Sequence, residues 1–151
     1  MQVVDKYEYH TVSYCCCRLR YNLDPEYPDT PFPLETCLHF DELGRYCVKN
    51  GLGREITKEE TREILKRSAD AGLVHGLQNT EEAPETICNC DLEYCNVAFR
   101  PYHVLGFGRS MDRSNYAVHV TPETCKACGL CVKRCPMDAI QLEFSEKSEK
   151  P

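Results

Sequence analysis

The sequence predicts an α+β fold in which a cysteine-rich C-terminal domain follows an N-terminal cysteine-bearing arm and a helical hairpin. Three observations predict it. Four cysteines fall close together near the C-terminus, from Cys125 to Cys135. Residues 116–120 alternate between apolar and polar side chains, which is typical of a strand. Residues 57–73 combine a helix-start signal with apolar side chains at helical spacing.

The composition narrows the function classes before any motif is considered. The 151 residues carry 18 basic and 24 acidic side chains, for a net charge of −6. A basic nucleic-acid footprint is therefore not expected, and no apolar run approaches the ~18 residues that a membrane-spanning helix needs. Twelve cysteines in a chain without an export signal favour metal-bound thiolates over disulfides. We therefore expect a cytoplasmic metal protein.

The C-terminal cysteines have a spacing that suits an iron–sulfur cluster. Two, two and three residues separate them, and Pro136 follows the last one directly. This is the C-x2-C-x2-C-x3-C-P run of bacterial ferredoxins. Gly129 relieves crowding where the backbone passes close to inorganic sulfide, whereas zinc usually takes cysteine pairs from separated knuckles. The predicted cluster ligands are Cys125, Cys128, Cys131 and Cys135.

Residues 116–144 resemble one half of a bacterial-type [4Fe–4S] ferredoxin, in the order strand, loop, helix, strand. The first strand is expected at 116–120, a short helical turn at 136–140 and a closing strand at 141–144. In two-cluster ferredoxins the fourth cysteine of the run binds the other cluster. The chain has no cysteine after Cys135. Further ligands must then come from upstream.

A middle group of cysteines is the nearest source of those ligands: Cys88, Cys90 and Cys95. Pro84 and Pro101 bound this segment, so we expect a loop. Four C-terminal and three middle thiols make seven, one fewer than two all-cysteine cubanes require. Three solutions stay open: a contribution from the N-terminal cysteines, a single cluster, or a non-cysteine ligand. The candidates for that last ligand are Asp91, Glu93 and His103, which are otherwise expected to be ordinary surface residues.

The N-terminal group begins with three adjacent cysteines. In an extended segment alternate side chains point the same way, so Cys15 and Cys17 form the better pair of ligands. Arg18 would lie beside them and offset the charge of a cluster. Cys37 is the candidate for a third thiolate in this group.

Residues 35–73 are predicted to form the helical hairpin, which serves as a scaffold. Thr57 and Glu60 form a capping box at the start of its second helix. Cys47 in the first helix is expected to be a buried apolar side chain, as free cysteines commonly are. The same expectation applies to Cys16.

Several short motifs are together similar to multi-cysteine [4Fe–4S] ferredoxin-like proteins of anaerobic microbes. They lie at residues 15–18, 35–38, 51–56, 72–75 and 87–90. Those proteins carry a denser cysteine cluster after the position of Cys90, where this chain has Asp91, Glu93 and Tyr94. The similarity implies a redox function without fixing a partner.

The predicted organisation has three parts. Residues 1–76 hold the arm and the hairpin, residues 77–144 form the ferredoxin-type iron–sulfur domain, and residues 145–151 form a disordered tail. Within the second part, residues 76–86 are polar and acidic and are predicted to be a linker loop.

The predicted function is electron transfer rather than catalysis, and no catalytic residue is assigned. We expect a ferredoxin-like protein or subunit with two [4Fe–4S] clusters. A total of one cluster or of three clusters remains an open alternative. It would pass single electrons between redox partner proteins, including a larger oxidoreductase complex. Two alternatives stay open. One is an iron–sulfur subunit or activator of an anaerobic oxidoreductase with an open iron, and the other is a structural zinc or iron–sulfur interaction module.

Overall fold

The computed structural model describes residues 2–80, 84–106, 109, 114 and 117–143. The chain divides into two compact units, Met1–Arg113 and Ser114–Pro151. Residues 77–113 therefore belong to the N-terminal unit, whereas the sequence assigned them to the iron–sulfur domain. The predicted tail at 145–151 lies outside the described residues.

The N-terminal unit is built on a five-stranded antiparallel sheet in the order β3-β1-β2-β5-β4. The strands are β1 His10–Tyr14, β2 Glu35–Phe40, β3 Gly53–Ile56, β4 Val74–Leu77 and β5 Thr86–Cys90. The helices of this unit are α1 Gln2–Asp5, α2 Cys16–Asn22, α3 Asp41–Lys49, α4 Lys58–Asp70 and α5 Phe99–Leu105. In the C-terminal unit the described residues form one helix, α6 Leu130–Arg134.

One face of the sheet carries the apolar core of the N-terminal unit. Val12 on β1 is paired with Leu38 on β2, and Leu38 is paired with Ile87 on β5. Residues paired across antiparallel strands point to the same side of the sheet. All three side chains are buried there, together with Ile64 of α4. Helices α1 and α4 pack together over this face.

Helix α3 packs on the opposite face, against β1, β2 and β3. Gly44 makes this close approach possible, because a Cβ atom there would lie 2.8 Å from Thr11 Oγ1 and 3.2 Å from the His39 carbonyl oxygen. Thr11 and His39 are cross-strand partners on β1 and β2. Helix α3 thus covers the part of this face that β1, β2 and β3 form. It does not cover the part that β5 and β4 form.

The predicted helical hairpin at residues 35–73 is wrong. Its first part, Glu35–Phe40, is strand β2, and β3 separates the two helices. Thr36, Leu38 and Phe40 are buried and alternate with half-buried residues. This period of two, with β-branched and aromatic side chains on the buried face, favours a strand over a helix.

The start of α4 agrees with the predicted capping box in one of its two contacts. The Glu60 backbone N–H donates to Thr57 Oγ1 over 3.1 Å. The Glu60 carboxylate does not reach back to the backbone. It accepts a hydrogen bond from Arg54 Nη2 at 2.6 Å instead, because β3 brings that guanidinium to the helix start.

Strand β4 ends at Leu77 and strand β5 begins at Thr86, and the two strands are paired in one sheet. The predicted linker at 76–86 therefore does not separate two domains, and its residues 81–83 lie outside the described residues. This pairing is also the reason why the boundary between units lies well after residue 77.

The C-terminal unit departs from the predicted order of strand, loop, helix, strand. No strand forms in the described residues 117–120 and 141–143, and α6 lies inside the cysteine run rather than after it. Two strands alone are marginally stable in water, which explains why alternation in the sequence is not sufficient here. Tyr116 and Phe144, at the ends of the predicted strands, lie outside the described residues.

Candidate metal centres

Seven cysteines from distant parts of the N-terminal unit line one pocket of about 260 Å³. One comes from β2, two from β5, three from the start of α2, and one from the loop before α5. Apart from Cys16, they are in chain order Cys15, Cys17, Cys37, Cys88, Cys90 and Cys95. These six were predicted as ligands, and the structure brings them together.

The two cysteines of β5 reach the pocket because of strand periodicity. Ile87 and Asn89 are buried, and Cys88 and Cys90 alternate with them. Successive side chains of a strand point to opposite faces, so the residues that fill the core turn the two thiols to the other side. The predicted loop is therefore wrong for these two residues and agrees with the structure at Cys95.

The three adjacent cysteines are divided by the start of α2. Cys15 has extended backbone angles, φ −64° and ψ 106°, and precedes the helix, whereas Cys16 and Cys17 belong to its first turn. Cys15 and Cys17 enter the pocket as the predicted pair, but a helix start, not strand alternation, is the physical reason. Cys16 borders the pocket and is exposed, so its predicted burial is wrong. Cys47 is buried in α3 as predicted.

Six of the pocket thiols shift one another's pKa values in a closed sequence. The order around the ring is Cys15, Cys37, Cys88, Cys90, Cys95, Cys17 and back to Cys15. Each sulfur therefore has two thiol neighbours. We call this group the thiol ring.

The ring makes alternate thiols acidic. Hydrogen bonds from its two ring neighbours lower the pKa of Cys15 to about 2, and the same cause lowers the pKa of Cys88 to about 3 and that of Cys95. The donating neighbours hold their protons, so the same hydrogen bonds raise the pKa values of Cys17, Cys37 and Cys90. Thiolate is the form of cysteine that binds metals, and soft thiolates select zinc, copper(I) and iron–sulfur clusters.

Arg18 places a buried positive charge at the pocket. Its side chain is 1% exposed and lines the cavity. Nη1 donates to the Asn89 carbonyl oxygen at 2.8 Å, and Nη2 donates to the Pro33 carbonyl oxygen at 2.9 Å and to the Thr36 hydroxyl. Nε has no hydrogen-bond partner within the part of the chain that the structure describes. A buried charged donor without a partner is costly, so this wall of the pocket suits an anionic occupant.

The C-terminal cysteines lie on a short loop and on α6. Gly129 has φ 71°, in the left-handed region, and a Cβ there would be 3.4 Å from Leu142 Cδ1. The Ala139 N–H donates to Cys135 Sγ at 3.4 Å. Three thiols are exposed and the fourth is half-buried, in the order Cys125, Cys128, Cys131 and Cys135. Four accessible thiols on one loop are the donor set that a [4Fe–4S] cluster uses.

The candidate non-cysteine ligands have other partners or lie elsewhere. Asp91 Oδ1 accepts the backbone N–H groups of Glu93 and Tyr94, each at 2.8 Å, so this carboxylate stabilises a turn. His103 and Glu93 line a separate pocket. In the described ranges no three histidine, cysteine or carboxylate side chains are placed to hold a single metal ion.

Gly76 is a pocket residue that the sequence patterns do not reveal. It lies on β4 opposite Cys88, and a Cβ there would be 3.7 Å from Cys88 Cβ. A glycine inside a strand often marks a close approach of backbone or ligand. A glycine inside a strand was the one signal in the sequence for this residue. It points to the pocket only when the pairing of β4 with β5 is known.

Comparison with known proteins bears on the C-terminal unit. Residues 118–141 match the family of the 4Fe-4S binding domain. No curated protein and no solved structure matches the chain. The match confirms the ferredoxin-type 4Fe–4S segment predicted from the cysteine run, and it supports an iron–sulfur cluster with an electron-transfer role. No described helix has the length and apolar character needed to cross a membrane.

Proposed function

We propose that this chain is an electron carrier whose C-terminal unit binds a [4Fe–4S] cubane. Its ligands would be Cys125, Cys128, Cys131 and Cys135, which are the cysteines of the matched segment 118–141. That match is the observation that carries the proposal. When bound, such a cluster supplies one-electron exchange, and all-cysteine ligation leaves no iron open to a substrate.

Several residues of the C-terminal unit favour this role. The left-handed Gly129 lets the backbone turn inside the cysteine run without strain. The Ala139 N–H hydrogen bond to Cys135 Sγ stabilises negative charge on that sulfur, and hydrogen bonds to sulfur help to set the cluster potential. Exposure of the other thiols would keep the cluster close to the surface of the unit, where a redox partner protein makes contact.

We further propose that the chain carries a second cluster, bound by the N-terminal and middle cysteines. The thiol ring supports this, because it joins cysteines that are up to 80 positions apart, from Cys15 to Cys95. The partners would be cytoplasmic redox proteins, including a larger oxidoreductase complex. The net charge of −6 favours partners with a basic docking surface.

The experiment that tests the C-terminal cluster compares Cys128→Ser with Cys16→Ser after purification without oxygen. Cys128→Ser is expected to lose about four irons per chain, the content of one cubane, together with the paramagnetic resonance of that cluster after reduction. Cys16→Ser removes an exposed thiol outside the thiol ring and should keep both. Unchanged iron and an unchanged signal in Cys128→Ser would refute the proposal.

A further inference from the structure

We infer that the pocket of the thiol ring binds one polynuclear iron–sulfur cluster through all six of its thiolates, entirely within the N-terminal unit. The inference rests on the proposed function for the identity of the metal. It goes further by assigning the ligand set and by separating this cluster from the cysteines of the C-terminal run.

The number of donors exceeds what a simpler site requires. A tetrahedral zinc ion takes four ligands, and a cubane likewise takes four thiolates. The six thiols of the ring line a single cavity, which is two more than either of those sites uses. A cluster with bridging as well as terminal thiolates uses the whole set.

The cavity has room for such a group. Its volume of about 260 Å³ is many times the ~10–15 Å³ that a cavity needs to hold one water molecule. Gly76 contributes to this space, because every other residue would place a side chain on the face that carries Cys88. A single metal ion would leave most of this cavity unfilled.

The charge at the wall matches an anionic cluster. Sulfide and thiolate ligands leave iron–sulfur cores with net negative charge, and Arg18 is a buried cation at this cavity. Its Nε donor is the part of the guanidinium without a partner among the described residues. The Ala98 N–H donates to Cys95 Sγ at 3.4 Å, which is the kind of backbone contact that stabilises charge on a cluster sulfur. On binding, the protons still held by ring thiols are released to solvent as iron–sulfur bonds form.

The test uses the full chain with all four cysteines of the C-terminal run replaced by serine, loaded without oxygen with ferrous iron and sulfide. This variant is expected to retain iron and acid-labile sulfide in about equal amounts. A further serine at any one ring position should lower the iron content at least about twofold. Adding Cys47→Ala instead should not, because that thiol lies in α3 and does not line the pocket.

Thiol mapping decides between six ligands and four. The loaded variant and its metal-free form are treated with an alkylating reagent under native conditions, and the modified sites are identified by mass spectrometry. We expect the metal to protect all six ring thiols, while Cys16 is modified in both forms. Two ring thiols that react equally fast in both forms would overturn the six-thiolate assignment.

The outcomes separate this inference from the proposed C-terminal cluster. If the variant lacking the C-terminal thiols binds no iron, or binds one zinc ion without sulfide, the inference fails while the C-terminal cluster of the unmodified chain is unaffected. A second variant leaves every thiol in place. Gly76→Leu fills the cavity and should abolish the N-terminal cluster. Full loading of Gly76→Leu would also overturn the inference.

Discussion

At the scale of single residues, Arg18 connects the sheet to the thiol ring. Its guanidinium joins the Asn89 and Pro33 carbonyl oxygens and the Thr36 hydroxyl, and its charge helps to lower the pKa of Cys15, after the larger effect of the thiol hydrogen bonds. One residue therefore stabilises the backbone around the pocket and compensates negative charge inside it.

Replacing Arg18 with Met should affect both roles. Losing a positive charge next to the proposed N-terminal cluster makes the reduction of that cluster harder, so its potential is expected to fall. The unpaired acceptors should also cost about 3 kcal/mol of unfolding free energy, at 1–3 kcal/mol for each buried group. Potentiometric titration and urea unfolding measure the two effects. An unchanged potential of the N-terminal cluster would contradict the electrostatic role.

His10 predicts a pH dependence of stability. The side chain is 2% exposed, with Nε2 3.1 Å from the Tyr7 carbonyl oxygen and Nδ1 3.0 Å from Thr61 Oγ1. Burial is the largest cause that lowers its pKa below the usual 6.5. The unfolded chain then binds the proton more tightly, so this contribution to stability is full above pH 6.5 and is lost as the pH falls through that value toward the lower folded pKa.

The measurement compares wild type with His10→Gln by denaturant unfolding at about pH 7 and about pH 5. The wild-type protein should lose more stability than the variant on acidification. Lys58 and Arg62 act in the same direction as burial, and Asp41 opposes it. Equal losses in the two proteins would mean that His10 does not contribute. Using the metal-free chain for both avoids any effect of acid on a cluster.

Individual ligands were predictable from the sequence to different degrees. The C-terminal candidates could be identified from a short segment alone, because the spacing of their cysteines places four thiols on one loop. Cys15, Cys17 and Cys37 were identified as candidates, yet their assembly with the middle cysteines depends on which strands pair. The exposure of Cys16 was missed because the start of α2 was not predicted. No side chain forms a capping hydrogen bond there, so the sequence has no capping residue that would indicate a helix start.

At the scale of elements, α3 depends on one small residue. Gly44 lies where a Cβ would come within 2.8 Å of Thr11 Oγ1 and within 3.2 Å of a backbone oxygen. Thr11 is fully buried and has little freedom to move aside. The helix therefore lies close to the sheet at this point.

Gly44→Ala is expected to lower the unfolding free energy by about 1–2 kcal/mol. Alanine gains about 1 kcal/mol in helix propensity, but overpacking a tight contact typically costs about 1–3 kcal/mol or more. Urea unfolding measures the result. Gly76→Ala is the matched control, because its Cβ meets an atom at 3.7 Å, an ordinary contact distance. A stabilised Gly44→Ala variant would show that α3 shifts freely.

The elements were predicted where their signals are local. The start of α4 at Thr57 was identified from its capping residue. Strands β2 and β5 were missed because each is short and they pair with each other across almost 50 residues of chain, from Leu38 to Ile87. The segment at β2 was assigned to a helix, although Thr36, Leu38 and Phe40 alternate with less apolar positions.

At the scale of the whole molecule, charge should govern partner encounter. The net charge of −6 attracts a partner with a basic surface and speeds association at low salt. Raising ionic strength shortens the distance over which this attraction acts, to about 10 Å at 0.1 M. The rate of reduction by such a partner is therefore expected to fall steadily with added salt in stopped-flow measurements. Rates that do not depend on salt would contradict electrostatic steering.

The order of the sheet explains why the N-terminal unit was the harder part to predict. Strand β2 is central and pairs with β1 and β5, and β5 begins almost 50 residues after β2 ends. Such pairing depends on the summed burial of one face and leaves no short signature. The C-terminal motif needs no partner segment, and its family was identified from a few adjacent residues.

The division of the sheet into two faces has a consequence for how the protein is made and kept in use. Core side chains such as Leu38 and Ile87 pack on one side, and Cys88 and Cys90 lie on the other, so the apolar core forms without contact to the proposed N-terminal cluster. The unit is therefore expected to keep its fold when that cluster is absent, and iron and sulfide could then be inserted into the folded chain.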